Sequence, residues 1–275
     1  MPQSIPYWHV DAFSARPFGG NQAAVMVLDE WLPDDVLVAI AAENLFAETA
    51  FVVRDATGPE NGGADWELRW CTPTYEIALC GHATLASGHI LLTRDAKGRG
   101  LDRITFRTRK SGVLEVAKLG EGYELALPGI ATEADTAEKQ TEAIRLLGAD
   151  PLEIARSGLG YNIYLYENEA TVRGLAPDIR GLEKLGKDQF IVTAPGERTD
   201  IVSRVFVPGG GVDEDSVTGS AHALLTPYWA KRLGRDSLTA HQASTRGGDL
   251  TLRLDGARAW LGGPCVTVVE GAFYL

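Results

Sequence analysis

Two short segments of the chain combine acid–base residues with glycines at the predicted start of a helix. In the first, Gly81 and His82 stand before an apolar run of helical length. In the second, Asp215 shortly precedes Gly219 and Ser220, and another apolar run follows. The free N–H groups at a helix start bind anions, and a carboxylate or imidazole beside them can move a proton. This combination predicts chemistry on a small anionic molecule.

Glu48 is a further candidate for acid–base chemistry, and its sequence surroundings are apolar. It lies between AAENLFA and TAFVV, where a carboxylate is either a solvated residue at a strand start or a partly desolvated one with a raised pKa. In the second case a single carboxylate could take a proton from a substrate and return it on the same face. His82 also has an ordinary alternative, as a capping or surface histidine. At a helix start its pKa would fall, which leaves a neutral ring for hydrogen bonding or proton relay.

The acidic run Asp213, Glu214 and Asp215 does not match a metal-binding motif. It lacks the glycine and the spaced glutamate of a calcium loop, and no Gly-Lys-Ser/Thr follows PGGG as it would in a phosphate-binding loop. Its ordinary role is helix capping, with Asp213 and Glu214 in solvent. We therefore expect no metal ion at this loop.

The strand and helix patterns place these residues in two similar halves of the chain. In each half, an apolar strand that starts with arginine and ends before proline (RWCTP, RVFVP) leads to Gly-x-Ala and an apolar helix. The predicted helices are about 82–94 and 219–233, the second with Pro227 inside it, and most of the remaining chain has strand patterns. Two such units predict two similar lobes, whose helix starts could face one cleft suited to a small carboxylate.

The composition is typical of a globular protein that is soluble in water. Of 275 residues, 45% are hydrophobic and 23% charged, and the net charge of −11 disfavours binding to nucleic acid or to an anionic membrane. No run approaches the ~18 apolar residues of a membrane span, and no signal-peptide pattern opens the chain. An odd number of cysteines without zinc-type spacing favours a reduced, cytoplasmic location.

Five stretches, in the right order and spread over nearly the whole chain, resemble the phenazine-biosynthesis PhzF-like family, within the diaminopimelate-epimerase fold. They are HVDAFSARPFGGNQAAV, ETAFV, RWCTPTYEIALCGHATLA, SRVFVPGGGVDEDSVTGSAH and QASTRGGDL. The resemblance implies an α+β fold of two pseudo-symmetric lobes, each a mixed β-sheet or barrel rolled around a central α-helix. With the polar stretch LPGIATEADTAEK as the boundary, we assign 1–122 to the N-terminal lobe, completed by the strand 264–275, and 123–263 to the C-terminal lobe. The resemblance further implies an active site in the cleft between the lobes, a homodimer, and neither a metal nor an organic cofactor.

The resemblance also assigns roles to individual residues. The family's acid–base glutamate precedes Thr-x-Phe and matches Glu48, while His82, Asp215 and Ser220 match other residues of its site. The family moves a proton on a small unsaturated amino acid, which shifts a double bond. We therefore expect an isomerase-type enzyme on a small carboxylate-bearing metabolite, with Glu48 moving the proton and His82 and Asp215 assisting. The expected substrate-binding residues are Asn21, Cys80, Gly81, Gly219, Ser220 and Arg246.

Two departures from the family pattern keep alternatives open. Ala47 stands where the family usually has serine, and Ser216 where it usually has proline, so a hydrogen bond near Glu48 and the rigidity of the second loop are in question. One alternative is an epimerase or a dehydratase on the same fold. Racemases of this fold use one thiol from each lobe, but only Cys80 is in place, because DEDSVTGSAH contains no cysteine. The other alternative is a dimer that binds a small molecule without catalysis.

Overall fold

The computed structural model describes residues 3–94 and 100–275 and divides into two compact units. The first unit is Met1–Leu127 with Gly262–Leu275, and the second is Pro128–Leu261. The boundary predicted from the sequence, after residue 122, lies a few residues before the observed boundary, after Leu127. The reason is that the strand that begins at Gly122 continues to Pro128, with Leu125 and Leu127 buried.

The first unit contains nine strands and two α-helices among its described residues. Its strands are β1 (Ser4–Ala12), β2 (Asn21–Leu28), β3 (Glu48–Arg54), β4 (Trp66–Cys71), β5 (Glu76–Ile77), β6 (Arg103–Thr108), β7 (Val113–Leu119), β8 (Gly122–Pro128) and β18 (Cys265–Tyr274). Its helices are α1 (Asp34–Asn44) and α2 (Gly81–Arg94). The observed α2 begins one residue before the predicted 82–94.

The strands of the first unit form a mixed sheet in the order β18–β1–β2–β3–β4–β6–β7–β8. The pairs β2–β3 and β4–β6 are parallel, and the remaining pairs are antiparallel. The short β5 adds to β4. Helix α2 contacts β18 and β1 at one end of this order and β6 and β7 near the other. A single helix can touch both only if the sheet curves around it, which places α2 at the centre of the unit.

The second unit contains nine strands and four α-helices among its described residues. Its strands are β9 (Glu133–Asp135), β10 (Glu153–Arg156), β11 (Tyr161–Leu165), β12 (Gln189–Pro195), β13 (Ile201–Val207), β14 (Val212–Asp215), β15 (Ser237–Gln242), β16 (Gly248–Asp255) and β17 (Arg258–Gly263). Its helices are α3 (Thr141–Leu147), α4 (Glu169–Gly174), α5 (Ile179–Glu183) and α6 (Gly219–Leu233).

The second unit repeats the strand pattern of the first. The order β9–β10–β11–β12–β13–β15–β16 has parallel pairs β11–β12 and β13–β15, and β14 adds to β13 as β5 adds to β4. In the first unit β5 leads into α2, and β6, which follows this helix, pairs in parallel with β4. In the second unit β14 leads into α6, and β15, which follows that helix, pairs in parallel with β13. The repeat predicted from RWCTP and RVFVP is therefore confirmed as a repeat of topology.

Helix α6 follows the predicted bounds and contains Pro227 as expected. A proline inside a helix has no N–H to donate, so the carbonyl of Ala223, four residues earlier, loses its helical partner. The backbone N–H of Ile130 donates to that carbonyl at 3.2 Å. Since this contact satisfies the buried carbonyl, the helix continues past the proline.

The structure also contains short elements that the strand and helix patterns did not predict. These are β5, β9, β10, β14, α4 and α5, which span two to six residues each. Helix α3 ends at Leu147, where Gly148 follows in the left-handed region with a φ of 91°. Among the described residues, no helix is long and apolar enough to span a membrane.

Candidate functional site

The first unit brings together its predicted site residues at the starts of three elements. Asn21 is the first residue of β2, Glu48 the first of β3 and Gly81 the first of α2. Because β2 and β3 are parallel neighbours, with Ala23 opposite Glu48, their starts lie at the same edge of the sheet. Chain topology therefore gathers residues that are far apart in the sequence.

The side chain of His82 lies at the centre of this group. Its Nε2 is 3.3 Å from Oε2 of Glu48, and its Nδ1 is 3.2 Å from Nδ2 of Asn21. The Sγ of Cys80 lies 3.5 Å from Nδ1. The imidazole is 5% exposed, whereas the Glu48 side chain keeps 18% of its surface exposed. Glu48 is therefore the member of the pair that a small molecule can reach.

His82 is neutral at physiological pH. Burial lowers its pKa to about 4, against a smaller opposing effect of a hydrogen bond with the backbone of Gln22. An amide nitrogen can only donate, so with the Asn21 amide in this orientation Nδ1 is the acceptor. The single ring proton then resides on Nε2, the nitrogen that faces Glu48.

The loop before Asn21 is fixed by a buried carboxylate and a glycine. Asp11, 1% exposed, accepts the backbone N–H of Phe18 at 2.8 Å. Gly20 has a φ of 63°, and a Cβ there would lie 2.1 Å from the carbonyl oxygen of Ala12. No other residue fits this turn, and the turn sets where β2 and Asn21 begin.

The second unit holds the other predicted site residues around the start of α6. Asp215 ends β14, and its Oδ2 accepts the hydroxyl of Thr218 at 2.7 Å. The buried Gln242 accepts the backbone N–H of Thr218 at 2.8 Å and donates to the Asp215 carbonyl at 2.7 Å. These contacts hold the loop that leads into Gly219 and Ser220.

The loop around Arg246 contacts the same segment. Arg246 lies between β15 and β16, in a tight loop where Gly247 has a φ of 65°. The hydroxyl of Ser244 accepts the N–H of Gly247 at 3.1 Å and donates to the carbonyl of Ser216 at 2.7 Å. The segment with Ser216 in place of the usual proline is thus tied to this loop by a hydrogen bond.

The two units share a partly buried ion pair at equivalent positions. Arg69 on β4 donates to both carboxylate oxygens of Glu76, at 3.0 and 2.6 Å. Arg204 on β13 does the same with Glu214, at 2.8 and 3.1 Å. The expectation that Glu214 is only solvated was therefore wrong, because the arginine that opens each repeat needs an acidic partner on the added strand.

The repeat also identifies a residue that sequence reasoning missed, Gln189. It is the first residue of β12, as Glu48 is of β3, and Nε2 of Gln189 donates to the hydroxyl of Ser220 at 3.1 Å. Ser220 in turn occupies the position of His82, one residue after the glycine that starts the helix. The contact between Gln189 and Ser220 thus repeats that between Glu48 and His82, with neutral groups. Aligning QFIVTA with ETAFVV before the two arginine strands would have revealed it.

The three cysteines are free thiols in different surroundings. Cys71 is buried in β4, where burial raises its pKa to about 11, and Cys265 begins β18. Cys80 is 6% exposed and lies beside His82. Cys80 is thus the cysteine whose contact with a predicted site residue is seen here, and its role in substrate binding stays a prediction.

Comparison with known proteins shows which protein family this chain resembles. A family model described as phenazine biosynthesis-like protein, PhzC-PhzF, matches residues 10–271. An uncharacterized isomerase of Pseudomonas aeruginosa is 44% identical over 272 residues, which is 98% of this chain and 99% of that protein. The crystal structure of a PhzF-family phenazine biosynthesis protein from Enterococcus faecalis has a TM-score of 0.90 at 39% identity and covers 99% of this chain and 100% of that one.

A more distant similarity supports the fold alone. The structure of a predicted epimerase from Pseudomonas aeruginosa has a TM-score of 0.71 at 19% identity, over 98% of this chain and 99% of that one. It shows that this predicted epimerase has the same fold.

Further curated relatives, at 41% and 40% identity, are also named isomerases. The chain therefore belongs to the phenazine biosynthesis-like (PhzC-PhzF) family, as an enzyme of the isomerase kind.

Proposed function

We propose that this enzyme shifts a proton on a small, carboxylate-bearing metabolite without an organic cofactor, and that Glu48 is the acid–base group. The observation that carries the proposal is the contact of 3.3 Å between Glu48 and the buried, neutral His82. A carboxylate that keeps part of its surface exposed and lies beside a neutral imidazole can accept a proton and return it.

The start of α2 supplies the substrate-binding part of the proposal. The first N–H groups of a helix have no helical partners and lie at the positive end of its dipole, so the amides of Gly81 and His82 suit a substrate carboxylate. A carboxylate held there would bring its neighbouring carbon close to Glu48. The assisting roles of Asp215 and Ser220 remain predictions from the family resemblance. Those of Gly219 and Arg246 remain predictions from the sequence, with a purely structural role as the alternative for Arg246.

His82 would act by orientation and by hydrogen bonding. With the proton on Nε2, it can donate to a substrate oxygen, and Asn21 holds the ring in that orientation. A neutral donor stabilises negative charge that develops on a substrate without giving up its own proton.

Hydrogen–deuterium exchange at carbon tests this assignment whatever the product of the reaction is. Small unsaturated amino acids and other carboxylates would be incubated with the enzyme in D2O, and the exchange followed by NMR. We expect Glu48→Gln to lower the exchange rate by about 10²–10⁴, the usual contribution of an acid–base group. Cys80→Ala should retain more activity than Glu48→Gln.

Two outcomes would overturn the proposal. Loss of exchange in Cys80→Ala with retention in Glu48→Gln would point to thiol chemistry, as in the epimerase alternative. The assay could also find compounds that stabilise the protein against unfolding while none of them undergoes exchange. That result would favour a binding protein without catalysis.

A further inference from the structure

A small cavity of the first unit is lined by three arginine side chains, Arg69, Arg107 and Arg109. Trp31 and Glu67 also belong to its wall. Its volume is about 50 Å³. One water molecule needs a cavity of only about 10–15 Å³, so this one has room for a small ion. Arginine is the side chain best suited to bind carboxylates and phosphates, which makes this cavity a candidate anion site.

Arg69 has a buried nitrogen that lacks a hydrogen-bond acceptor. The residue is 3% exposed, and its Nε and Nη2 donate to Glu76 and Asp34. Within the part of the chain that the structure describes, Nη1 of Arg69 has no acceptor. A charged donor that is buried without an acceptor is rare and costs free energy. An acceptor in the cavity would satisfy this nitrogen.

The equivalent arginine of the second unit shows what Arg69 lacks. Arg204 is paired with Glu214 as Arg69 is with Glu76. The Nη1 of Arg204, however, donates to backbone carbonyls at the end of α4 and just after it, with the carbonyl of Leu175 at 2.7 Å. In the first unit, no described carbonyl takes this place. The position of an acceptor is thus present in both units and filled by the chain in one of them.

The acidic residue in the cavity wall is already paired. Glu67 accepts Nη2 of Arg107 at one oxygen and Nε1 of Trp31, at 2.8 Å, at the other. Asp55, outside the wall, accepts Nε and Nη2 of Arg107. In its contacts with described residues Arg107 therefore leaves Nη1 unused, and Arg109 uses its Nη1 alone. The cavity offers more donors than acceptors.

We propose that this cavity binds a small oxyanion, a phosphate or a carboxylate, through Nη1 of Arg69 and the remaining N–H groups of Arg107 and Arg109. The planar guanidinium matches the oxygens of either group. The indole ring of Trp31 supports the guanidinium of Arg69, whose Cζ lies 5.0 Å from the ring centroid. The site shares no residue with the group around Glu48 and does not rest on the proposed function.

The indole N–H of Trp31 reports on the cavity, because it donates to Glu67 in the cavity wall. Its signal in nitrogen-15 NMR spectra is identified by its loss in Trp31→Phe. Phosphate and acetate would be added separately at constant ionic strength. We expect at least one of them to shift the signal of the unaltered protein until the site is saturated, and the lower dissociation constant shows which oxyanion the site prefers.

Arg109→Gln removes part of the site without disturbing the core, since this side chain is 49% exposed. We expect the dissociation constant to rise about 10-fold, the effect of one hydrogen bond to a charged group. Arg103→Gln is the matched control. Arg103 lies on β6, is 73% exposed and is not part of the cavity wall, so the same change of charge should leave binding unaltered.

Arg69→Lys tests the buried nitrogen itself, because lysine keeps the charge but has no counterpart of Nη1. It should weaken binding at least as much as Arg109→Gln. Circular dichroism shows whether this variant folds, and the comparison of Arg109→Gln with Arg103→Gln decides the question if it does not.

Three results would overturn the anion site. The first is a Trp31 signal that neither oxyanion shifts, and the second is an equal dissociation constant in Arg109→Gln and Arg103→Gln. The third is a signal that moves when the protein is diluted but with neither oxyanion, which would assign the missing acceptor to a second copy of the chain.

Discussion

At the scale of the residue, burial decides the protonation of the histidines. His82 and His222 both have their pKa lowered to about 4 by burial. His82 lies beside the proposed acid–base residue Glu48. The Nδ1 of His222 lies 2.8 Å from the carbonyl oxygen of Thr218 and its Nε2 3.3 Å from the hydroxyl of Ser203. The same residue type, near the start of each central helix, thus has different contacts.

These buried histidines predict a loss of stability in mild acid. In the unfolded chain a histidine binds a proton near pH 6.5, whereas in the folded protein it stays neutral down to about pH 4. The unfolded state therefore binds more protons between these values, so stability is full above pH 6.5 and falls as the pH drops toward 4. Each such histidine should cost about 1–2 kcal/mol of unfolding free energy between pH 7 and 5.

Urea unfolding at pH 7 and at pH 5 measures this effect. The variant His222→Gln should lose about 1–2 kcal/mol less than the unaltered protein over that interval, because glutamine does not titrate. An equal loss in both proteins would show that His222 does not contribute to the acid sensitivity.

At the scale of the element, each central helix depends on close contact with its sheet. Gly88, in the middle of α2, lies against Val116 of β7, and a Cβ at Gly88 would come within 2.4 Å of Cγ1 of Val116. Glycine weakens an isolated helix by about 1 kcal/mol relative to alanine. Glycine is needed at position 88 because α2 packs so closely on β7. This close packing sets the distance of α2 from the sheet and hence the position of His82.

Gly88→Ala should therefore destabilise the protein although alanine favours a helix. Overpacking costs about 1–3 kcal/mol, which exceeds the gain of about 1 kcal/mol in helix propensity. In the Gly88→Ala background, Val116→Ala should restore part of the loss, and a double-mutant cycle from urea unfolding measures that coupling.

A matched control for this substitution lies at the end of α4. A Cβ at Gly174 would have no heavy atom within 4 Å. Gly174→Ala should therefore leave the stability unchanged or slightly higher. If Gly88→Ala behaved in the same way, the close packing of α2 on β7 would not constrain the helix.

At the scale of the whole molecule, the last strand of the chain completes the first unit. Strand β18 pairs with β1 from Ser4 opposite Tyr274 to Ala12 opposite Cys265. The side chain of His89 on α2 also contacts β18, with Nε2 of His89 2.9 Å from the hydroxyl of Thr267. The first unit is therefore built from both ends of the sequence.

A chain that ends at Pro264 should fail to form a stable first unit, because β1 loses its neighbour and α2 loses part of its cover. We expect a lower urea midpoint and reduced strand content in circular dichroism. A control chain that ends at Tyr274 loses only the two backbone hydrogen bonds between Leu275 and Gln3 and should stay close to the full chain. Equal midpoints for the full chain and the chain ending at Pro264 would contradict this prediction.

The sequence by itself determined the fold class, the repeat and the residue types at the site. Periodic apolar segments identified α2 and α6, and local motifs at helix starts singled out Gly81, His82 and Gly219, because such signals depend on near neighbours in the chain. The family resemblance singled out Glu48, one of these candidates, as the acid–base group. Short elements such as β5 and β14 escaped prediction, since two to four residues carry too little pattern.

Only the tertiary structure decided which of these residues meet. The approach of Asn21 and Glu48 to His82 depends on the parallel pairing of β2 with β3 and on the depth of α2, and both involve residues distant in sequence. Likewise, Glu214 could be distinguished from Asp213 only once β14 had been placed beside β13 and Arg204. The physical reason is that burial and pairing are properties of the packed chain, whereas capping and periodicity are properties of a short segment.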